Sequence, residues 1–227
     1  GCNFTNCDFT NSNLIEERSS LSDSLSPITG LLNLNKSNII LSRHENGVSI
    51  WKEGSFVKRV EDWYNCDLYC SPNEQWIFVS VPSSRDSGKG YFFRSNDFTT
   101  VCYTIVDLNF GRDAISLTDN ELIYGVKYQK GSKDLIRLFQ ISLNLENDNN
   151  QFNDNKKIQI NEDKLEMTWL KRVKSDVASS NRIFVQHKAS SLENIFTVFK
   201  FLPDKKKYEP LSSIKINLLR FELIPNT

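Results

Sequence analysis

The feature that most constrains the fold is a strand–turn–strand unit that recurs along the chain. Its clearest copy is the run Cys66–Val81, where Leu68–Cys70 ends one extended segment and Trp76–Val81 forms the next. Between them, Ser71-Pro72-Asn73-Glu74 combines the fixed φ of proline with side chains that hydrogen-bond their own backbone. Aromatic and β-branched residues then follow, as expected of a buried strand. The unit predicts β-strands joined by tight turns.

Two markers repeat along the chain in the same order four times. One is an asparagine ahead of an apolar run, and the other is an aromatic residue followed by a long polar side chain. The asparagines are Asn38, Asn73, Asn120 and Asn181, with a fifth at Asn226, and the aromatic pairs are Trp51-Lys52, Phe93-Arg94, Phe139-Gln140 and Phe199-Lys200. Self-similarity at intervals of roughly 40–60 residues predicts a repeat architecture.

Each repeat can be divided into four strands with three tight connections, and this pattern predicts consecutive four-stranded antiparallel meanders. We place the strands at 28–34, 38–43, 48–52 and 56–60, then 67–71, 76–81, 91–94 and 100–105, then 114–117, 121–128, 135–142 and 156–160, then 167–174, 182–187, 195–202 and 213–216. The extra length of the last two units is assigned to loops at 146–155 and 203–210. The Asn/Asp-rich first loop has oxygen ligands, but it lacks the spaced carboxylates of a calcium loop, so a plain insertion is favoured.

The run Val48–Lys52, which precedes a glycine turn, and the run Ser71–Trp76 resemble the WD-repeat family of β-propellers. Blades of that family end their third strand in Trp-Asp and often carry a Ser-Pro-Asp-Gly-type turn after the first strand. The resemblance covers residues 27–225. It implies an all-β fold, a β-propeller of four-stranded antiparallel blades, with four blades plus one strand at 219–224. A propeller must close into a ring, because otherwise its end sheets stay unpaired. The chain is therefore expected to be a fragment of a larger propeller.

Residues 1–15 show a five-residue period of a small residue, Asn or Asp, then Phe or Leu. The period resembles the pentapeptide-repeat family, a four-sided β-helix, and the resemblance implies that Phe4, Phe9 and Leu14 point inward. A polar tail with accidental spacing is the alternative. Residues 16–26 are rich in serine and charge and are predicted to be a linker, with a short helix as the other interpretation. The predicted organisation is therefore a pentapeptide-repeat remnant at 1–15, a linker at 16–26 and WD-like propeller blades at 27–227.

Charge and cysteine content narrow the class of partner and the compartment. Lys+Arg and Asp+Glu both number 28, which argues against nucleic acid or an anionic membrane as partner. No apolar run approaches the roughly 18 residues that span a bilayer, and no signal-peptide layout is present at the start. The five cysteines, Cys2, Cys7, Cys66, Cys70 and Cys102, form no CxxC pair. We interpret them as reduced, mostly small core residues of a cytoplasmic protein, with a thiol site or disulfide as the alternative.

No residue group predicts a chemical site, so the expected catalytic, cofactor-binding and metal residues are none, and no cofactor is expected. His44 and His187 lie near the ends of the second strands of units one and four without a third ligand, which favours solvent-edge or hydrogen-bonded structural histidines over a metal site. Gly88-Lys89-Gly90 is too short to cradle a phosphate and is assigned to a hairpin turn. The lysines 205–207 are assigned to a solvated hairpin tip. The aromatic markers are expected to be core packing between neighbouring units rather than a recognition stripe.

These features predict a non-catalytic protein–protein interaction scaffold or sensing module that belongs to a larger multidomain chain. The expected partners are proteins, not nucleic acid or membrane. The alternative is a propeller-fold enzyme, such as a glycoside-acting hydrolase with paired carboxylates roughly 5–9.5 Å apart, one of them with a raised pKa. A third hypothesis, a nucleic-acid mimic or binder built on the solenoid, needs many more five-residue units upstream.

Overall fold

The computed structural model describes residues 27–82, 88–109, 114–143, 157–161, 165–175, 182–189 and 193–215. The predicted pentapeptide remnant, the linker, the 146–155 loop, Asn181, Asn226 and the strand at 219–224 lie outside these residues. The chain divides into two compact units, the first ending at Tyr69 and the second beginning at Cys70. The described residues form antiparallel β-sheets, so the all-β prediction is confirmed.

The first unit contains a four-stranded antiparallel sheet whose strands follow one another in chain order. They are β1 (Ile28–Leu34), β2 (Ile39–His44), β3 (Gly47–Lys52) and β4 (Ser55–Val60). Each end lies within one residue of its predicted position. The turn between β3 and β4 has positive φ at Glu53 (52°) and Gly54 (80°), the backbone of a two-residue hairpin loop whose twist matches that of its strands.

The two faces of this sheet differ in chemistry because side chains alternate along each strand. One face holds the buried apolar side chains Leu34, Ile39, Leu41, Val48 and Ile50. The other face carries Ser42, His44 and Ser49, which are buried, together with Trp51. We call this second surface the first His face.

The second unit begins within β5 (Asp67–Cys70), whose last residue belongs to it. Its first sheet contains β6 (Trp76–Val81), β7 (Gly88–Arg94), β8 (Asp97–Leu108), β9 (Ser116–Leu117), β10 (Glu121–Lys130), β11 (Lys133–Ser142) and β12 (Lys157–Gln159). The path runs β12-β11-β10-β8-β7-β6, with β9 paired to β10. We call this the middle sheet.

The middle sheet joins strands that the sequence assigned to two separate blades, and that part of the prediction is not reproduced. β8 continues to Leu108, beyond its predicted end at 105, and Leu108 pairs with Val126 of β10. The join is possible because β9 has only two residues and covers only the beginning of β10, at Leu122 and Ile123.

The hairpin turn predicted at Gly88-Lys89-Gly90 is wrong, because these residues begin β7, where Lys89 and Gly90 pair with β6 and Gly88 pairs with Leu108 of β8. Gly90 lies opposite Ser80, and a Cβ at Gly90 would collide with the ring of Phe78. A glycine is therefore required here by the aromatic ring across the strand pair and not by a turn.

The third sheet again has its strands in chain order: β13 (Trp169–Ser175), β14 (Arg182–Lys188), β15 (Asn194–Leu202) and β16 (Lys207–Lys215). The predicted loop at 203–210 is too long and the predicted strand at 213–216 starts too late. A single 3-10 turn at Pro203–Lys205 and a left-handed Lys206 (φ 49°) reverse the chain at once, and Lys207 pairs with Leu202. Lys205 and Lys206 nevertheless lie at the predicted hairpin tip, whereas Lys207 begins β16.

The third sheet packs against the middle sheet through an apolar core. Its members are Leu170, Val173, Ile183, Val185, Phe199 and Tyr208 from the third sheet, with Ala114, Ile123, Ile136, Leu138, Ile160 and Met167. The two sheets approach closely at Gly125, where an added Cβ would lie 2.7 Å from Leu170 Cδ2. This core holds the second unit together.

Candidate functional site

A cleft in the first unit is a place among the described residues where a partner group can be held. It has a volume of about 170 Å³ and lies between the edge strand β1 and the start of β5. Its lining residues are Gly30, Leu31, Leu32, Arg43, Asp67 and Leu68. The walls combine leucine side chains with one ion pair.

The ion pair is built around Arg43, whose guanidinium ties the start of β1 to the start of β5. Nε donates to Thr29 Oγ1 (3.2 Å) and Nη2 to the Thr29 carbonyl oxygen (3.1 Å). Nη1 donates to the Cys66 carbonyl oxygen and to Asp67 Oδ1, both at 3.0 Å. Arg43 is therefore held by oxygens of the protein itself, whereas the side chain of Asp67 remains 60% exposed.

The absence of a side chain at Gly30 keeps room beside Arg43. A Cβ at this position would lie 3.2 Å from both Nε and Nη2 of the guanidinium. That distance is shorter than an ordinary van der Waals contact, so the Arg43 guanidinium would have to shift. Gly30 thus preserves both the hydrogen bonds of the Arg43 guanidinium and the floor of the cleft.

The strand β1 forms one wall of the cleft and ends its sheet within the described part of the chain. Its sequence, Ile28–Leu34, contains no charged residue, and Leu31 is 44% exposed. Edge strands of soluble proteins are usually protected by charges, because their outer N–H and C=O groups can pair with another chain. β1 lacks that protection.

The predicted asparagine turn at Asn73 is confirmed and is held by its own side chains. Asn73 Oδ1 accepts hydrogen bonds from Ser71 Oγ (2.7 Å) and from the N–H of Gln75 (2.9 Å). The N–H of Asn73 donates to Asp119 Oδ1 (2.7 Å), which links this turn to the turn before β10. The turns of the middle sheet therefore form a cross-linked polar edge.

Sequence reasoning missed the hydroxyl groups that organise both turns. Ser71 Oγ accepts from the N–H of Trp76 (3.0 Å), and Thr118 Oγ1 accepts from the N–H groups of Asn120 (3.3 Å) and Glu121 (3.1 Å). Each hydroxyl residue stands two positions before a marker asparagine. That spacing was present in the sequence and could have identified them.

Both histidines are buried and hydrogen-bonded, which excludes the solvent-edge placement. His44 Nε2 lies 3.1 Å from Ser42 Oγ, which also accepts from Trp51 Nε1 at 3.0 Å. His187 Nε2 lies 3.0 Å from Thr197 Oγ1. Burial lowers the pKa of His187 from 6.5 to about 4, so its ring is neutral at neutral pH. No group of three or more potential metal ligands occurs within the described ranges.

In the second unit, the carboxylate of Glu121 accepts hydrogen bonds from two side chains. Ser175 Oγ and Gln140 Nε2 donate to its two oxygens, and the Tyr208 hydroxyl donates to Gln140 Oε1 (2.9 Å). Burial, with the negative charge of Glu121 nearby, raises the pKa of Tyr208. This chain of hydrogen bonds joins the middle and third sheets and leaves the Glu121 carboxylate engaged by neutral donors.

A general acid for glycoside hydrolysis needs a carboxyl group with a raised pKa. Glu209 is a described carboxyl group with a shifted pKa. Its pKa is lowered because Lys205 and Lys207 donate hydrogen bonds to it. The shift of Glu209 is thus opposite to the one that a general acid needs.

The described thiols are free, and burial makes them poor nucleophiles. Burial raises the pKa of Cys66 to about 12 and that of Cys70 to about 11, and it also raises the pKa of Cys102. A thiol in this state is protonated at neutral pH and is a weak nucleophile. Cys2 and Cys7 lie outside the described residues.

The aromatic markers split into two groups. Phe93 and Phe199 are buried, and Phe199 belongs to the core between the middle and third sheets, as expected. Trp51 and Phe139 are only half-buried. Phe139 carries Lys157 Nζ over its ring, 3.9 Å from the centroid, a cation–π contact, and it also packs against the ring of Tyr124.

Comparison with known proteins places the chain in no family. No family model matches the sequence, and no curated protein matches it either. Solved structures that resemble the chain include a eukaryotic initiation factor (13% identity, TM-score 0.36, 85% of this chain and 44% of that chain). Kluyveromyces lactis Hsv2 (9%, 0.34, 83% and 73%) and a putative exported protein from Bacteroides fragilis (10%, 0.34, 82% and 72%) also resemble it. The chain spans less than half the length of the initiation-factor chain.

The described residues contain no helix long and apolar enough to cross a membrane.

Proposed function

We propose that the chain is a non-catalytic protein-interaction module built on β-propeller-type sheets, and that it binds an extended segment of a partner protein along β1. The proposal depends on one observation, the cleft of about 170 Å³ beside an uncharged edge strand. A cleft beside an edge strand suits an extended peptide, because the peptide backbone can pair with the strand and one of its side chains can enter the cleft.

The volume of the cleft limits the size of the peptide side chain that it can hold. Sites for small molecules and cofactors typically measure about 300–1,000 Å³, whereas a cavity of about 150 Å³ holds a benzene molecule. The cleft of about 170 Å³ therefore fits one leucine- or isoleucine-sized side chain and is too small for a cofactor. Leu31, Leu32 and Leu68 supply the apolar contacts for such a side chain.

The edge of β1 offers main-chain hydrogen bonds to the backbone of the peptide. An extended peptide that adds to a sheet edge gains affinity from main-chain hydrogen bonds and specificity from pockets for alternate side chains. Asp67 is the exposed charge at the cleft, and its carboxylate shares only Oδ1 with Arg43. It favours a basic residue near the apolar anchor, so we expect a motif of apolar residue, any residue, then Lys or Arg.

The blade interpretation is supported by the two four-stranded meanders whose strands lie in chain order, β1 to β4 and β13 to β16. The middle sheet joins its two strand groups through a single pairing of Leu108 with Val126, a weak seam between what would be two blades. The free thiols of Cys66, Cys70 and Cys102 support a reducing compartment, so we place the protein in the cytoplasm.

The test is fluorescence anisotropy of the full chain with labelled eight-residue peptides that contain Ile-Thr-Lys, against matched peptides that contain Asp-Thr-Lys or Ile-Thr-Glu. We expect the first peptide to bind at least about tenfold more tightly than the other two. Leu31→Asp and Asp67→Asn should each weaken binding, because one removes the apolar wall and the other the charge.

The matched control is Val57→Asp. Val57 is 53% exposed on β4, at the opposite edge of the same sheet, so this variant places the same charge far from the cleft. It should bind as the unmodified chain does. Equal affinity for all three peptides, or no binding of any of them at millimolar concentration, would reject the proposed function.

A further inference from the structure

Three properties of β1 and its cleft define the segment that can fill them. The cleft of about 170 Å³ takes one leucine-sized side chain, and Asp67, whose side chain is 60% exposed, favours a positive charge beside it. The outer N–H and C=O groups of an edge strand pair with an extended backbone. A segment with these properties can be sought in the sequence of this chain.

β1 presents an apolar side chain on each of its faces. Leu32 pairs with Leu41, so its side chain lies on the face that carries Leu41. Leu31 pairs with Ser42, so its side chain lies on the first His face, where it is 44% exposed. A strand added to the edge of β1 therefore gains cross-strand contacts from apolar side chains on both of its own faces.

Two runs of the sequence outside the described residues have an apolar residue, any residue and then Lys or Arg. They are Phe110-Gly111-Arg112 and Leu218-Leu219-Arg220. The first belongs to the connection 110–113 between Asn109 and Ala114, which are both buried. So short a connection cannot leave the second unit to lie along another strand, because the reach of a chain grows only with its number of residues. The second run is therefore the candidate.

This second run lies in a stretch whose sequence alternates as a strand requires. Arg220 and Glu222 carry the charges of the stretch, and the positions beside and between them are apolar, namely Leu219, Phe221 and Leu223. Alternation with a period of two favours an extended backbone with one apolar face. The sequence of residues 216–224 thus predicts a strand that matches the edge of β1.

The spacing of the run matches the cleft. Residues two apart share one face of a strand, so Arg220 lies on the same face as Leu218. Asp67 is part of the wall of the cleft, so a leucine in the cleft brings the following arginine to this carboxylate. Leu219 then lies on the side of β1 that carries the exposed Leu31. One register satisfies all three contacts.

We propose that residues 216–224 of this chain pair with β1, with Leu218 in the cleft and Arg220 against Asp67. The inference rests on the proposed function, because it assigns an occupant to the same edge and the same cleft. It adds regulation of that site. A partner peptide has to displace this segment before it binds, so the segment lowers the apparent affinity of every partner of the cleft.

The test is hydrogen–deuterium exchange of the full chain, with mass spectrometry of the fragment that contains residues 28–34. We expect the outer N–H groups of β1 to exchange at least about tenfold faster in Arg220→Glu than in the unmodified chain, because their partner strand is released. Lys200→Glu is the matched control, since Lys200 is an exposed residue of β15 and the same charge change is made outside the segment. It should leave the exchange rate unchanged.

Charge reversal tests the contact with Asp67 itself. Asp67→Lys should also speed the exchange of β1, and the double variant Asp67→Lys with Arg220→Glu should return the rate to within about threefold of that of the unmodified chain. Equal exchange of β1 in the unmodified chain and in Arg220→Glu overturns the inference. A double variant that stays folded and exchanges as fast as the single variants overturns it as well.

Peptide binding separates this inference from the proposed function. The Ile-Thr-Lys peptide should bind Arg220→Glu at least about tenfold more tightly than the unmodified chain, because the competing segment is released. If the peptide binds both chains equally and the exchange of β1 is unchanged, the inference is rejected and the proposed function stands. If the exchange rates respond as expected and no peptide binds either chain, the proposed function is rejected and the segment remains the occupant of the cleft.

Discussion

The side chain of Asn161 pairs with Leu138 as a neighbouring strand would. Asn161 Oδ1 accepts the N–H of Leu138 at 2.7 Å, and Nδ2 donates to the carbonyl oxygen of Ile136 at 3.0 Å. β12 ends at Gln159, so the buried carboxamide continues the pairing of β11 beyond the end of its partner strand. One side chain thereby satisfies two backbone groups in the core.

Replacing Asn161 with alanine should lower the free energy of unfolding by about 2–4 kcal/mol, because a buried N–H and a buried C=O lose their partners. Chemical denaturation monitored by tryptophan fluorescence measures the change. Asn33→Ala is the control, since Asn33 is exposed and donates only to the side chain of Asn35, and it should cost less than about 0.5 kcal/mol. Equal losses for the two variants would contradict the role of Asn161.

Gly125→Ala should destabilise the contact between the middle and third sheets. The added Cβ would lie 2.7 Å from Leu170 Cδ2 and 3.0 Å from Ile136 Cγ2, both in the core. Overpacking of this kind costs about 1–3 kcal/mol. In a double-mutant cycle with Leu170→Ala, the combined loss should be smaller than the sum of the single losses, because the colliding methyl group is gone. Additive losses would show that the two residues do not collide.

His187 should make the protein less stable in mild acid. Its pKa is about 4 in the folded state and 6.5 in the unfolded state, so the unfolded state binds the proton more readily. The stabilisation from the neutral ring is complete above pH 6.5 and is lost as the pH falls toward 4, by about 3 kcal/mol in total.

The measurement for His187 is the free energy of unfolding between pH 4 and pH 7 for the unmodified chain and for His187→Gln. Glutamine can still bond to Thr197 but does not titrate in this range, so the variant should show a shallower loss of stability. Carboxyl groups titrate in both proteins and cancel in the difference. Parallel curves would refute the predicted contribution of His187.

Cys66 should resist alkylation in the folded protein. With a pKa of about 12 it is almost wholly protonated at pH 8, so we expect iodoacetamide to label it at least about a thousandfold more slowly than in denaturant. Mass spectrometry of the peptide that contains Cys66 gives the rate. Labelling at the same rate with and without denaturant would show that this thiol is not buried.

The strands follow from local chemistry. β1 and β6 have the predicted bounds because their aliphatic and aromatic runs are bordered by asparagine, glycine and proline turns. The end of β8 and the start of β16 were misplaced, because one depends on pairing with Val126 and the other on the left-handed backbone of Lys206. Neither effect is encoded in the periodicity of a single strand.

The candidate site depended on contacts between distant parts of the chain. Arg43 and Asp67 belong to different strands, and no local pattern indicated that the guanidinium would join Thr29 to Cys66. The histidines were predicted to be structural, but the hydroxyl partner of His187 lies on a neighbouring strand.

The amino-acid sequence by itself determined that the chain forms β-strands, where most of them lie and which turns connect them, because side-chain shape and backbone preference act over a few residues. Only the tertiary structure decided that β8 pairs with β10 and that Arg43 closes one wall of a cleft. Those outcomes depend on which surfaces meet after the strands have formed, and packing between distant residues is not written in any local pattern.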